Sequence, residues 1–532
     1  MKMVKSLLLG TAAGLVAVAG AQAADMPVKA KPVQYVKICS LYGDGFYYIP
    51  GTDVCLKVGG YVRGEYFYNY GVNGTNGPWQ AGTAGTGSGY NDRFDGGDFI
   101  LRTRAYAWFD SRQQTEYGTL RTYLNVGVNY DNPTNTSTNF NANRAFIQFA
   151  GFTIGTAQSF FDFYSAPASS FFGPPSSDTG DGGWKVFAYT AQFGNGFSST
   201  VSLEEPRSYG TASPSSGVFN TNLGNGFVVG TTPAANTDKA KVRFPDIVSN
   251  WRVDQAWGSA QVMMAAHDVS AGYYAATAGA LSSCIGAAAS FAPIAATGTI
   301  TGSEICGHPA DKVGWAAGAG IKINGYGGDY FQIQGTYAQG ATRYVSFTPA
   351  GAFSPVSFSG ASMAYGFFSD GIFNAATGDV QLTTATGVNA AYDHFWLPNL
   401  RTSLYGFWGG FRYGNQANAA ICNMQTQAAA GAITFLGAVP LVTPAAASGI
   451  SGIGACNNNF QWWGVGSRTQ WNITPWWYVG FDVFYQKLET ASNGAVVLYT
   501  AAAGTAKPTA LYGITNQDNL AFRVRFHRDI IP

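Results

Sequence analysis

The sequence predicts an all-β chain that closes into a 16-stranded antiparallel transmembrane β-barrel. Three observations carry this. Strand-like runs alternate apolar and polar residues with a period of two, long and short connections between the runs alternate, and past residue 23 no apolar run is long enough for a spanning helix. The alternation is clearest from Asp98 to Asn129. Leu101, Thr103, Ala105, Ala107 and Phe109 share one face, and Arg102, Arg104, Tyr106, Trp108 and Asp110 the other. After Gly118 the pattern resumes, with Leu120, Thr122, Leu124, Val126 and Val128 opposite Thr119, Arg121, Tyr123 and Asn125. In a soluble sandwich the oily face would be the core, whereas in a membrane barrel it meets lipid and the arginines meet water inside.

Sixteen such runs occur, at 56–68, 98–110, 118–130, 141–150, 151–159, 184–193, 197–204, 240–254, 258–267, 312–323, 329–339, 385–396, 400–412, 460–472, 476–488 and 519–528. An even number suits an antiparallel barrel with both ends in one compartment. Short turns such as Ala150-Gly151, Gly194-Asn195-Gly196, Leu397-Pro398-Asn399 and Ile473-Thr474-Pro475 alternate with long segments rich in Gly, Ala, Ser, Thr and Asn. Short and long ends then face opposite sides of the membrane. Aromatic rings bracket the short turns, as in Phe149 and Phe152, Phe193 and Phe197, Trp251 and Trp257, and Trp471 with Trp476 and Trp477. Such rings favour the boundary between lipid and water.

Lys2 and Lys5 precede an apolar run from Leu7 to Ala19 and then Ala21-Gln22-Ala23, the parts of a secretory signal, so 1–23 reads as a signal peptide. Residues 24–54, with Pro27, Pro32 and Lys29, Lys31 and Lys37, read as a periplasmic extension leading into the first strand, and 55–532 as the barrel. Composition suits a sheet: aromatics make up 15 % of residues and charged residues only 11 %. A formal net charge of +1 gives no basic excess for nucleic acid. Cys39, Cys55, Cys284, Cys306, Cys422 and Cys456 are even in number, which in an exported chain favours disulfides, with neighbour pairing expected.

The block Cys39-Ser-Leu-Tyr-Gly-Asp-Gly-Phe-Tyr-Tyr-Ile-Pro-Gly-Thr-Asp-Val-Cys55, running into Leu56-Lys-Val-Gly-Gly-Tyr-Val-Arg-Gly-Glu65, resembles the opening of the porins of rhizobia, brucellae and their alphaproteobacterial relatives. Arg144 to Asp162 is similar to that family's strand pair before its pore-narrowing loop, and the last strand is similar too. The resemblance implies an outer-membrane homotrimer, set in outer-membrane lipid and lipopolysaccharide, each barrel a passive channel for small hydrophilic solutes and ions. One departure stands out: related porins finish on an aromatic residue, whereas here Phe526 is followed by His-Arg-Asp-Ile-Ile-Pro532.

The third long segment, 160–183, is richer in aromatics than the other loops and carries Asp162, Asp178 and Asp181. Oily residues in an exposed loop are costly, so this one is expected to pack on something. In the resembling porins the equivalent loop folds inward, which would set its acids against Arg63, Arg102, Arg104, Arg121 and Arg144 at a pore constriction. Opposed rows of unlike charge give a transverse field that screens ions. In the alternative reading the arginines pair with lumen carboxylates such as Glu65 and Asp110 for folding alone. No catalytic constellation is evident: His267, His308, His394 and His527 lack metal-ligand spacing, no phosphate loop or nucleophile elbow appears, and no cofactor or metal is implied. A lipid hydrolase built on a barrel and a plugged adhesive barrel are the competing readings.

Overall fold

In hydrocarbon a strand must satisfy its backbone through neighbours on both sides, so sixteen amphipathic strands are stable there only as a closed ring. The computed structural model describes residues 37–68, 99–132, 139–173, 177–179, 183–207, 217–220, 237–238, 244–271, 310–346, 356–374, 379–426, 434–435, 456–499 and 510–531. The predicted signal peptide, Asp181, Cys284 and Cys306 lie outside these residues.

Two compact units are distinguished, one ending at Lys57 and the other beginning at Val58. In the first, a disulfide joins Cys39 to Cys55, Phe46 packs beside both cysteines, and Tyr47–Tyr48 pairs antiparallel with Leu56 and Cys55.

The barrel is formed by β1 (Cys55–Tyr68), β2 (Phe99–Thr115), β3 (Gly118–Asn132), β4 (Asn139–Phe149), β5 (Phe152–Ala157), β6 (Trp184–Gly194), β7 (Phe197–Glu204), β8 (Asp246–Gln255), β9 (Gly258–Asp268), β10 (Val313–Asn324), β11 (Tyr330–Gln339), β12 (Thr384–Leu397), β13 (Leu400–Arg412), β14 (Phe460–Thr474), β15 (Trp477–Glu489) and β16 (Gln517–Ile531). Each strand pairs with the next in sequence, and β1 pairs with both β2 and β16, which closes the ring. At the closing seam Gly64 lies opposite Phe526 and Tyr68 opposite Phe522. The residues after Phe526 continue the ladder: Asp529 pairs with Tyr61 and Ile531 with Gly60 across a bulge.

Period-two alternation assigns the two faces. Outward Ile147, Val262 and Leu404 are 48, 49 and 58 % exposed, whereas inward Arg468 and Asp482 are 1 and 0 % exposed. Phe152, Phe193, Phe197, Trp251, Trp257, Trp471, Trp476 and Trp477 at the short turns are all exposed, as interfacial rings should be. The tight turn between β4 and β5 has positive φ at both Ala150 and Gly151, the backbone handedness that a two-residue hairpin needs.

The long connections build structure of their own. Val218–Asn220, Thr237–Asp238, Gly371–Asn374 and Asp379–Leu382 form one small sheet, and Val356–Ser359, Ser362–Tyr365, Thr434–Phe435, Val496–Tyr499 and Ala510–Ile514 another. A helix, α2 (Asn415–Thr426), follows β13 and is tied to the start of β14 by the Cys422–Cys456 disulfide. Met363, Tyr365, Phe367 and Phe368 from these connections share one buried apolar cluster with Phe161, Tyr164 and Phe172 of the third long segment.

The assignment of faces predicts that Leu124→Arg, which sets a guanidinium toward hydrocarbon near the middle of β3, lowers the unfolding free energy by about 2–4 kcal/mol. Urea unfolding in lipid vesicles measures it, and an unchanged midpoint would mean that Leu124 meets water.

Candidate pore constriction

The lumen face of β1–β4 is a wall of guanidinium groups. Alternation brings Arg63 from β1, Arg102, Arg104 and Arg112 from β2, Arg121 from β3 and Arg144 from β4 to the inside, with Glu65 and Asp110 among them. Arg112 and Arg121 lie directly opposite in the β2–β3 ladder, a like-charge pair that would destabilise it. Asp110 resolves this by accepting two bonds from each: Arg112 Nε and Nη2 at 3.1 and 2.8 Å, and Arg121 Nε and Nη2 at 3.0 and 2.9 Å. Glu65 is held between Arg523 Nη2, at 2.7 Å, and Arg525 Nε from β16. Arg63 donates to His527 at 3.3 Å, Arg104 to the Asn129 side chain at 2.5 Å, and Arg144 to the Asn143 carbonyl at 2.8 Å.

The segment after β5 crosses to the far wall. Asn250 Nδ2 of β8 donates to the Phe160 carbonyl at 2.7 Å. The Phe163 and Tyr164 amides donate to Gln334 Oε1 of β11 at 3.1 and 2.8 Å. A single turn of helix, α1 (Ala166–Ser169), follows, opened by Pro167, and Gln332 Nε2 reaches both the Ser165 carbonyl and Ser169 Oγ. Beyond it Asp482 Oδ2 of β15 accepts from Ser170 Oγ and the Phe171 amide at 3.2 and 2.6 Å, while Tyr405 of β13 donates to its other oxygen at 2.7 Å. Arg523 donates to the Phe171 carbonyl, and the Phe171 ring lies beneath Arg525 and Arg468, 4.1 and 5.3 Å from their guanidinium carbons. Gly480 is required here, because a Cβ would overlap that ring.

Of the three loop acids, Asp162 and Asp178 are among the described residues, and both are buried in the packing of the loop. Asp162 is buried; its Oδ1 accepts from Arg207 Nη2 at 2.7 Å and its Oδ2 from the Thr179 amide and hydroxyl at 2.7 and 2.8 Å. Asp178 is also buried, and its Oδ2 accepts from the Ala166 amide at the start of α1 at 2.9 Å. The reason is energetic: a carboxylate carried into a packed loop needs donors at hand, and the loop supplies some of them and Arg207, from the connection after β7, another. Arg207 also bonds Ser159 Oγ and the Ser177 carbonyl and lies 4.3 Å from the Tyr344 ring centroid. Burial drives Arg207 toward neutrality, but Asp162, Tyr344 and Glu204 outweigh it and hold the guanidinium above its ordinary value. Burial, with Asp246 beside it, pushes the Tyr344 hydroxyl well up, so it serves as a donor, to Asp246 Oδ2 at 2.7 Å.

Alternation set Arg63, Arg102, Arg104, Arg121 and Arg144 on one wall, and the structure brings them together there; the loop's own anchors were not anticipated. Asp482 and Gln334 carry the right parity for the lumen, so their inward direction was readable but their partners were not. Arg207 sits in a connection with no periodicity and gave no signal. Arg207→Ala leaves Asp162 buried without its cation, an expected local cost of about 3–5 kcal/mol. Amide exchange at Phe161 and Thr179 should quicken while strand amides stay protected; unchanged exchange would mean that other contacts hold the loop.

The comparisons with known proteins agree with this architecture. A family model described as a porin subfamily matches residues 25–521. Porin Omp2a of Brucella ovis is 34 % identical over 223 residues, covering 38 % of this chain and 59 % of that one. Porin Omp2b of Brucella melitensis is 35 % identical over 215 residues, covering 38 % of this chain and 54 % of that one. The matched part thus spans less than two thirds of either relative. Among solved structures, the outer membrane channel DcaP of Acinetobacter baumannii aligns over 91 % of this chain and 99 % of its own with a TM-score of 0.54 at 12 % identity, a likeness of fold. With the profile matching from residue 25 into the start of the closing strand, the chain belongs to the porin subfamily of outer-membrane β-barrels.

Proposed function

We propose that the chain is a passive channel for small hydrophilic solutes and ions, and that its passage runs between the β1–β4 wall and the inward-folded third loop. One observation carries this. Midway along the far side the inward residues Asn250, Gln334, Asp393, Ser403, Arg468 and Asp482 are all buried, with Arg252, Lys322 and Arg401 partly open nearer the short turns, whereas on the β1–β4 wall Arg102 is buried but Arg63, Arg104, Arg121 and Arg144 remain partly open to solvent. Water therefore has its way along the arginine wall. A low-dielectric rim around fixed charges concentrates their field on whatever passes.

The same geometry gives the field a sign. Asp162 is paired with Arg207 and Asp178 is bonded within the loop, and among the described residues the inward faces of β1–β4 carry more guanidinium than carboxylate. The constriction formed by Arg63, Arg102, Arg104, Arg121 and Arg144 then favours anions. The homotrimer, the setting in lipid and lipopolysaccharide, the signal peptide at 1–23 and the periplasmic extension at 24–54 belong to the same proposal. The mass of the detergent-extracted assembly and the N-terminal residue of the mature chain test them.

Planar-bilayer recordings test the channel itself: stepwise conductance in potassium chloride and a reversal potential on the anion side are expected. Silent bilayers would leave the plugged barrel, which the buried cluster shared by the third loop and later connections would then explain. Replacing Arg102 and Arg104 together with Ala should move the reversal potential toward cations; an unmoved value removes those two side chains from the constriction.

A further inference from the structure

The open wall carries a second feature that ion screening does not need: its aromatic rings lie in nearly parallel planes. Trp108 of β2 and Tyr123 of β3 have ring centroids 6.3 Å apart at 20°, and Tyr123 and Phe146 of β4 have centroids 5.4 Å apart at 22°. Tyr61 of β1 and Tyr106 of β2 repeat the relation at 5.6 Å and 14°. Two glycines let the rings lie flat on the barrel: a Cβ at Gly59 would overlap the Trp108 indole, and one at Gly127 the Tyr106 ring. Tyr106 is buried, whereas Trp108, Tyr123 and Phe146 are each partly exposed. The outcome is an apolar strip across three neighbouring strands, on a wall that solvent reaches.

Guanidinium groups border the strip. Arg121 sits 5.2 Å from the Tyr123 centroid and 5.4 Å from that of Phe146, and Arg63 sits 4.7 Å from that of Tyr61. The hydrogen-bond acceptors nearby are already engaged or, like Asn125 Oδ1 opposite Trp108, buried. Both Asp110 oxygens receive Arg112 and Arg121, Asn129 Oδ1 receives Arg104, and Asn143 Oδ1 receives the Tyr106 hydroxyl at 3.2 Å. An arginine brings five N–H donors and no acceptor, so the polar surround of the strip is rich in donors and poor in acceptors. A sugar acid needs acceptors for its hydroxyl groups. A flat apolar body ending in a carboxylate needs only the ring faces and the donors.

We propose that this strip is a binding track for aromatic carboxylates, over which such anions pass in preference to hydroxyl-rich or purely ionic ones. The proposal rests on the channel reading above and names the solute class that the same passage favours. The steps are weak and successive, as transport requires, since a site that holds a solute too tightly stops its flow.

The test is block of potassium chloride current through the wild-type channel by benzoate, 4-hydroxycinnamate, glucuronate and acetate, each added to one side of a bilayer. Half-blocking concentrations for the two aromatic acids at least about fivefold below those of glucuronate and acetate are expected, given that one good aromatic contact is worth about one decade or less. Trp108→Leu with Tyr123→Leu should raise the aromatic half-blocking concentrations to the level of acetate, and Trp108→Phe should keep most of the discrimination. Each variant's own chloride current reports that it has folded and inserted. Absence of any chloride current in the wild type would overturn the channel reading. Chloride current with all four acids acting alike, or with glucuronate the strongest, would overturn the track alone.

Discussion

Closure of the sheet is the constraint from which the other features follow. Hydrocarbon offers no partner for an unpaired amide, so the last strand has to meet the first, and the β1–β16 ladder supplies that meeting from Tyr68 and Phe522 down to Gly60 and Ile531. Once the ring is closed, parity is fixed all the way round. A slip of one residue would turn every side chain of a strand to the other face and present arginines to lipid. The extra residues after Phe526 conform to that rule, with Ile530 exposed outside and His527 and Asp529 inside, bonded to each other at 2.9 Å.

A ring of this size leaves a space that side chains alone do not fill. The third loop occupies part of it, and its anchoring follows a single pattern: backbone amides of the loop find side-chain acceptors on the wall. Gln334 takes two of them and Asp482 takes another two, the Phe172 amide being a longer 3.4 Å from Asp482. Irregular backbone inside a membrane is stable only where such partners exist. Aromatic packing then fixes the loop laterally, with Phe172 on Phe484 at 5.5 Å and Phe161 edge-on to Tyr344 at 4.6 Å.

The strands were legible because a two-residue period survives any reasonable change in composition. All sixteen predicted runs coincide with barrel strands, and the differences lie at their ends. β2 continues to Thr115, past the predicted 110, because Ser111 to Thr115 are polar on both faces and carry no period although they still pair with β3. β8 starts at Asp246, just after Pro245, whose missing N–H cannot join a ladder, while the predicted start at 240 lies outside the described residues. The small sheets of the long connections were not readable at all. Gly371 pairs with Val218 from a connection far back in the chain, and no local signal in Gly-Ile-Phe-Asn or Val-Phe-Asn tells of the other. The loop acids illustrate the same limit: their position in sequence was plain, but their direction depends on Arg207 and on the Ala166 amide, which only the fold brings near.

Why the surplus of positive charge lies on one wall follows from what each wall can sustain. On the sealed side an unmatched ion would be desolvated without recompense, and there the charges are matched. Arg468 meets Asp393 at 3.4 Å and Ser403 at 2.8 Å, and Arg207 meets Asp162 at 2.7 Å. On the β1–β4 side guanidinium groups outnumber carboxylates but stay partly in water, which solvates them, so an excess is tolerable there. Under the proposed channel reading, the placement of the loop therefore sets the sign of the field: by covering one side of the lumen it leaves the arginine-rich side as the one along which solutes would travel.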